Sequence, residues 1–129
     1  MDFEDILKKE NITLDDLRQF QEEYDKRFVD RKFTGFEKVR HTTLHLAKLL
    51  GKLSNYCEKM EHGENCSSQQ IEEEIIPDLM VYMLWLSREF KIKPDEAYFK
   101  RMVWNIERMY NDKSSKEEIK NLKDLLDER

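Results

Sequence analysis

Carboxylates are the residues of this chain best suited to chemistry, and they recur at spacings that matter. Glu72-Glu-Glu74 is followed by Asp78, and Glu74 and Asp78, four apart, share a helix face. Glu58 and Glu61 make a second pair, three apart, further back along the chain. Hard oxygen donors grouped in this way are what Mg2+ takes, and bound magnesium both neutralises a polyphosphate and activates a water for attack. Arg101, Asn105 and Arg108 suit the phosphate side of such chemistry. Steps of four and three set two guanidiniums and an amide on one face. A solvated polar face opposite Met102, Val103 and Ile106 explains the same three equally well. His45, one turn before Leu49, reads as an inward ligand or as a core histidine. Cys57, His62 and Cys66 offer three soft ligands, but their spacing matches no zinc finger or ribbon, so free thiols are expected.

The elements that must position these residues are helices. Charged residues make up 40% of the 129, with only three Gly and two Pro, a balance that favours an all-α fold over turn-rich sheet. That length supports one hydrophobic core, hence a single domain over residues 1–129 with its body at 12–110. A net charge of −5 with no isolated basic cluster argues against nucleic-acid binding. The longest wholly apolar run, residues 79–86, is far below the roughly 18 residues a bilayer span needs. The acidic start Met1-Asp-Phe-Glu-Asp5 is unlike a secretory signal, so the expected location is cytoplasmic.

A short leading helix is expected over residues 2–9, and Thr13-Leu-Asp-Asp16 reads as a capping box opening a helix with one apolar stripe, Leu17, Phe20, Tyr24 and Phe28. Lys32 to Phe36 connects to a second helix over about 36–60, where Leu46, Leu49, Leu50, Leu53, Tyr56, Cys57 and Met60 exceed a single stripe and call for several neighbours. The third helix starts on the acids 72–74 and runs to Phe90. Pro77 cannot donate to the carbonyl of Glu73, which predicts a bend or a late start just before Asp78. Because residues 79–86 are apolar all round, this helix must be surrounded, by its own domain or by a second copy. Pro94 opens a fourth helix with Tyr98, Phe99, Met102, Val103, Ile106, Met109 and Tyr110 on its apolar face. Ser115-Lys-Glu-Glu118 reads as another capping box before a charged C-terminal helix, 113–129, with a seam at Ile119, Leu122, Leu125 and Leu126. Trp85 and Trp104 read as core or subunit contacts.

Four segments in this order resemble one family. They are Ile12-Thr-Leu-Asp-Asp-Leu-Arg-Gln-Phe, the stretch Glu37-Lys-Val-Arg-His-Thr-Thr-Leu-His-Leu-Ala-Lys-Leu-Leu-Gly-Lys-Leu53, Ile75-Ile-Pro-Asp-Leu-Met-Val-Tyr-Met-Leu-Trp-Leu86, and Arg101-Met-Val-Trp-Asn-Ile-Glu-Arg108. Together they resemble the MazG-like all-α nucleoside triphosphate pyrophosphohydrolases, which convert a nucleoside triphosphate to monophosphate and pyrophosphate.

The resemblance implies a Glu-x-x-Glu pair on one helix and a Glu-x-x-Asp pair on the next, four carboxylates converging on magnesium. On this chain the first pair falls at Leu49 and Lys52, around Gly51, and the second at Ile75 and Asp78. Only Asp78 keeps its carboxylate. The site therefore sums to about zero charge rather than minus four, with Lys52 expected to pair with Asp78 while Leu49 and Ile75 close the gap with hydrocarbon. The resemblance further implies that Arg101, Asn105 and Arg108, with Lys52, hold phosphates.

The leading expectation is a divergent homologue, dimerising through its central helices, in which metal-dependent cleavage is lost or altered while nucleotide is still bound. Two alternatives stay open. One is an active pyrophosphohydrolase with Mg2+ held by relocated ligands among Glu74, Asp78, Glu58 and Glu61; the other is a homo-oligomeric helical interaction module.

Overall fold

A computed structural model describes residues 2–29, 33–109 and 115–129, and every element among them is helical, with no strand. The chain divides into two compact units, Met1–Lys91 and Ile92–Arg129.

In the first unit, α1 (Phe3–Leu7) is opened by Asp2, whose carboxylate accepts from the Phe3 N–H, and it buries Ile6. Helix α2 (Leu14–Phe28) begins at the expected box: Thr13 Oγ1 accepts from the Asp16 N–H at 3.2 Å and Asp16 Oδ2 accepts from the Thr13 N–H at 2.9 Å. These bonds satisfy donors that the first helical turn leaves free. Phe3 packs on Phe20 at 4.4 Å between ring centroids, which locks α1 onto α2.

Helix α3 (Phe36–Glu61) starts at Gly35, whose φ of 56° lies in the left-handed region that favours glycine. Its buried face is Lys38, Thr42 and Leu49. The sequence predicts more neighbours for α3 than the described residues of its own unit supply: Leu44, Leu50, Cys57 and Met60 are exposed, Leu50 by 64%.

Before Pro77 the chain forms a π turn (Ile71–Ile75), and α4 (Ile76–Glu89) follows without a break. The Ile76 N–H donates to the Ile71 carbonyl, five residues back. This widened turn is how the chain accommodates the proline, where the sequence predicted a bend or a late start. Helix α4 packs against α2 and α3, and the π turn also packs on α3. Leu84 and Trp85 are core, whereas Ile76, Leu79, Met80, Val81 and Met83 remain exposed, so this unit surrounds α4 on one side only.

The second unit is a helical pair, α5 (Pro94–Met109) and α6 (Ser115–Asp127), which pack on each other. Pro94 stands in the first turn, where its missing N–H is not needed. Val103 and Ile119 are buried, and Lys123 pairs with Glu107 across the two helices at 2.6 Å. The expected roles of Lys32 in a connection, Tyr110 on an apolar face and Ser115 as a cap lie outside the described residues.

Candidate functional site

Register on α3 sets the first half of the candidate site. Leu49 is buried and Lys52, three residues on, is half-buried with its stem along the same helix. The second half comes from the π turn and the start of α4, where Ile75 is 1% exposed, Glu74 is half-buried and Asp78 stands in the first turn of α4. The widened turn brings Glu74 to α3, and Lys52 Nζ donates to Glu74 Oε1, closing an ion pair between the two elements. The ammonium beside it, helped by the Gln70 amide at 3.3 Å, holds the Glu74 carboxyl below the usual range.

The expected partner of Lys52 was Asp78, and this is corrected: the lysine takes the carboxylate four residues earlier. Asp78 instead lines a cleft of about 660 Å3 between α2 and α4. Among the described residues it receives no hydrogen bond and no ion pair.

This donor set does not fit a magnesium centre. Two of the four positions are buried hydrocarbon, a third is a cation, and that cation has already engaged the nearest acid. Among the described residues no three His, Cys, Asp or Glu side chains converge on a common point. Glu58 and Glu61 are exposed near the end of α3, Cys57 and Cys66 are free thiols, and His62 is exposed.

His45 faces α4 and stacks on Tyr82 at 5.1 Å between centroids. His41, one turn earlier, sits amid aromatic rings. It stacks on Phe33 at 4.5 Å and meets His45 at 4.4 Å and Trp85 at 5.5 Å. Burial, then the neighbouring His45, lowers the pKa of His41 below its ordinary value. The stepping 38, 41, 42, 45, 49 along one side of α3 was the available signal, and leucine-only stripes concealed it.

A second set of groups escaped the sequence reading. Arg88 on α4 donates to Asp25 on α2 at 2.7 Å, and Glu89 Oε1 accepts from the Gly35 N–H at 2.5 Å. Lys38 is buried with its ammonium 3.8 Å from Glu89 and 4.9 Å from the centre of the Trp85 ring. Burial is the largest cause lowering the Lys38 pKa, followed by the charge of Arg88. These contacts fasten α2, α3 and α4 at one end. The two hydrogen bonds join residues 54 and 63 positions apart, beyond the reach of any local pattern.

The expected phosphate binders lie on α5, in the second unit. Arg101 and Arg108 both cover the Trp104 ring, with guanidinium carbons 4.0 and 4.7 Å from its centre. Asn105 is half-buried beside them. Trp85 is core as expected, but Trp104 is 42% exposed. Among the described residues neither arginine forms an ion pair with a carboxylate.

No family model, no curated protein and no solved structure matches this chain. No helix among the described residues is long and apolar enough to cross a membrane.

Proposed function

We propose that this chain is a divergent MazG-like nucleotide-binding protein in which a lysine has replaced the catalytic metal. The observation that carries the proposal is the Lys52–Glu74 ion pair. Its lysine stands at a position that the resemblance assigns to a magnesium ligand and its glutamate one residue before another, at Ile75, and an ammonium there supplies positive charge without the Lewis acidity that cleavage needs. Buried Leu49 and Ile75 support the same reading, because each replaces a hard oxygen by packed hydrocarbon.

Nucleotide binding is favoured by Arg101 and Arg108, two guanidiniums held by one indole and clear of acids among the described residues. Such a pair accepts phosphate oxygens at little ordering cost, since stacking already restrains both side chains. In this reading the protein is a cytoplasmic homodimer. Its exposed apolar faces, Leu44, Ala47 and Leu50 on α3 and Ile76, Leu79 and Met83 on α4, are what a second copy would cover.

The test incubates the purified protein with a panel of canonical and modified nucleoside triphosphates plus Mg2+ or Mn2+ and measures pyrophosphate. No release is expected. A thermal shift with nucleotide and no metal should then raise Tm, because a ligand that favours the native state stabilises it. Pyrophosphate release abolished by Asp78→Ala would overturn the reading in favour of relocated ligands. Absence of any nucleotide-dependent shift would leave a helical interaction module.

A further inference from the structure

The cleft between α2 and α4 has features that the ion pair and the arginines do not use. Its volume of about 660 Å3 falls within the range usual for small-ligand pockets. Phe20 and Tyr24 line it from α2, Tyr82 and Trp85 from α4, giving flat apolar surface on both sides. Its polar groups are few. Asp25 is already engaged, accepting from Gln21 Nε2 at 2.9 Å on one oxygen and from Arg88 at 2.7 Å on the other. Asp78 is different: it lines the same cleft and has no hydrogen-bond or ion-pair partner among the described residues.

We propose that this cleft receives a guanine-type base, stacked against its aromatic walls and read by the Asp78 carboxylate. The inference rests on the nucleotide-binding reading and names the base for it.

A carboxylate accepts hydrogen bonds and donates none. Guanine presents two adjacent donors, N1–H and the N2 amino group, so both carboxylate oxygens are satisfied at once, as in a bidentate guanidinium pair. Adenine and cytosine place a ring-nitrogen lone pair beside their amino group, and uracil sets one N–H between two carbonyls. Each of these turns an acceptor toward the carboxylate. Tyr82, one turn beyond Asp78, carries a phenol that is protonated at neutral pH, and burial and then the Asp78 charge push its pKa further up. It is therefore a donor in the same cleft, suited to the O6 carbonyl. Stacking with edge hydrogen bonds is the usual means by which proteins read an isolated base.

The experiment titrates the full chain, without metal, with guanosine, adenosine, cytidine, uridine and xanthosine, following binding by NMR. Guanosine should bind about tenfold or more tightly than adenosine, cytidine or uridine, in line with the discrimination of a bidentate contact. Asp78→Asn should lose guanosine and gain xanthosine, since the amide offers one acceptor to N1–H and one donor to the O2 carbonyl. A structural role for Asp78 would not invert the ranking in that way. Equal binding of all bases, or guanosine affinity unchanged in Asp78→Asn, would overturn the proposal; if the variant fails to fold, the wild-type ranking alone decides. Repeating the titration with GTP and ATP separates the two readings. Triphosphates that bind alike regardless of base sink the base assignment and spare nucleotide binding, whereas a guanosine preference that disappears in Asp78→Asn, with triphosphate binding indifferent to Arg101→Ala, keeps the cleft and sinks the phosphate role of the arginines.

Discussion

Lys52 on α3 reaches the carboxylate of Glu74 on the π turn and leaves Asp78, four residues on, to the cleft on α2. Glu74 lies within the π turn and Asp78 in the first turn of α4, so the lysine's partner belongs to the turn and the cleft's carboxylate to the helix. Lys52→Ala should therefore raise the Glu74 carboxyl toward its ordinary value of 4.5, a change read by NMR titration. The sign follows from the depressed folded pKa: the pair stabilises above the unfolded carboxyl value and loses its contribution as pH falls through the folded one. The stability gap between wild type and Lys52→Ala should thus narrow below about pH 4.5. An unchanged Glu74 titration would mean the contact is absent in solution.

The same sign holds for Asp16, which is held down to about 2 by Lys9 and then by the Thr13 backbone and hydroxyl. Its contribution is complete above the ordinary carboxyl value of 3.8 and disappears as pH falls to about 2. Asp16→Asn should flatten the acid limb of a chemical-denaturation series over that interval. Thr13→Ala removes the cap together with the hydroxyl's bond to Asp16 and should cost about 1 kcal/mol at neutral pH.

Thr42 carries a hydroxyl with no hydrogen-bond partner although the residue is 1% exposed. An unsatisfied buried hydroxyl costs on the order of 1 kcal/mol or more, and valine matches threonine in shape and branching. Thr42→Val should accordingly stabilise the protein by about 1 kcal/mol in urea unfolding. A loss of stability would show that the hydroxyl has a partner in solution, such as a water or a ligand.

Local chemistry was legible in the sequence, and geometry between elements was not. The Thr13 box and the length of α3 follow from spacing and side-chain type, each decided within one or two turns, while the pairing of Leu49 with Ile75 was an expectation from the resemblance. The partner of Lys52 could not be read, because it depends on where Pro77 forces the helix to widen. The Arg88–Asp25 contact and the Lys38 burial were equally hidden, since they join helices far apart in the chain. Part of the aromatic setting of His41 was hidden because Trp85 comes from a distant segment on α4, whereas His45 lies one turn away on the same helix.

On α3, Leu44, Ala47, Leu50, Gly51 and Ser54 fall within about a third of the helix circumference, and all five are exposed. A Cβ added at Gly51 meets nothing within 4 Å. In an isolated monomer, then, Gly51→Ala should stabilise by up to about 1 kcal/mol through helix propensity alone. If this face packs against a second copy, the added methyl meets the partner and the gain shrinks or reverses. Sedimentation equilibrium supplies the independent readout, with a mass of twice 15.8 kDa expected for the wild type. Leu50→Lys should lower it toward the monomer, because a charge is costly in a closely packed apolar interface. A wild-type monomer whose Gly51→Ala variant shows the full gain would rule out association through this face.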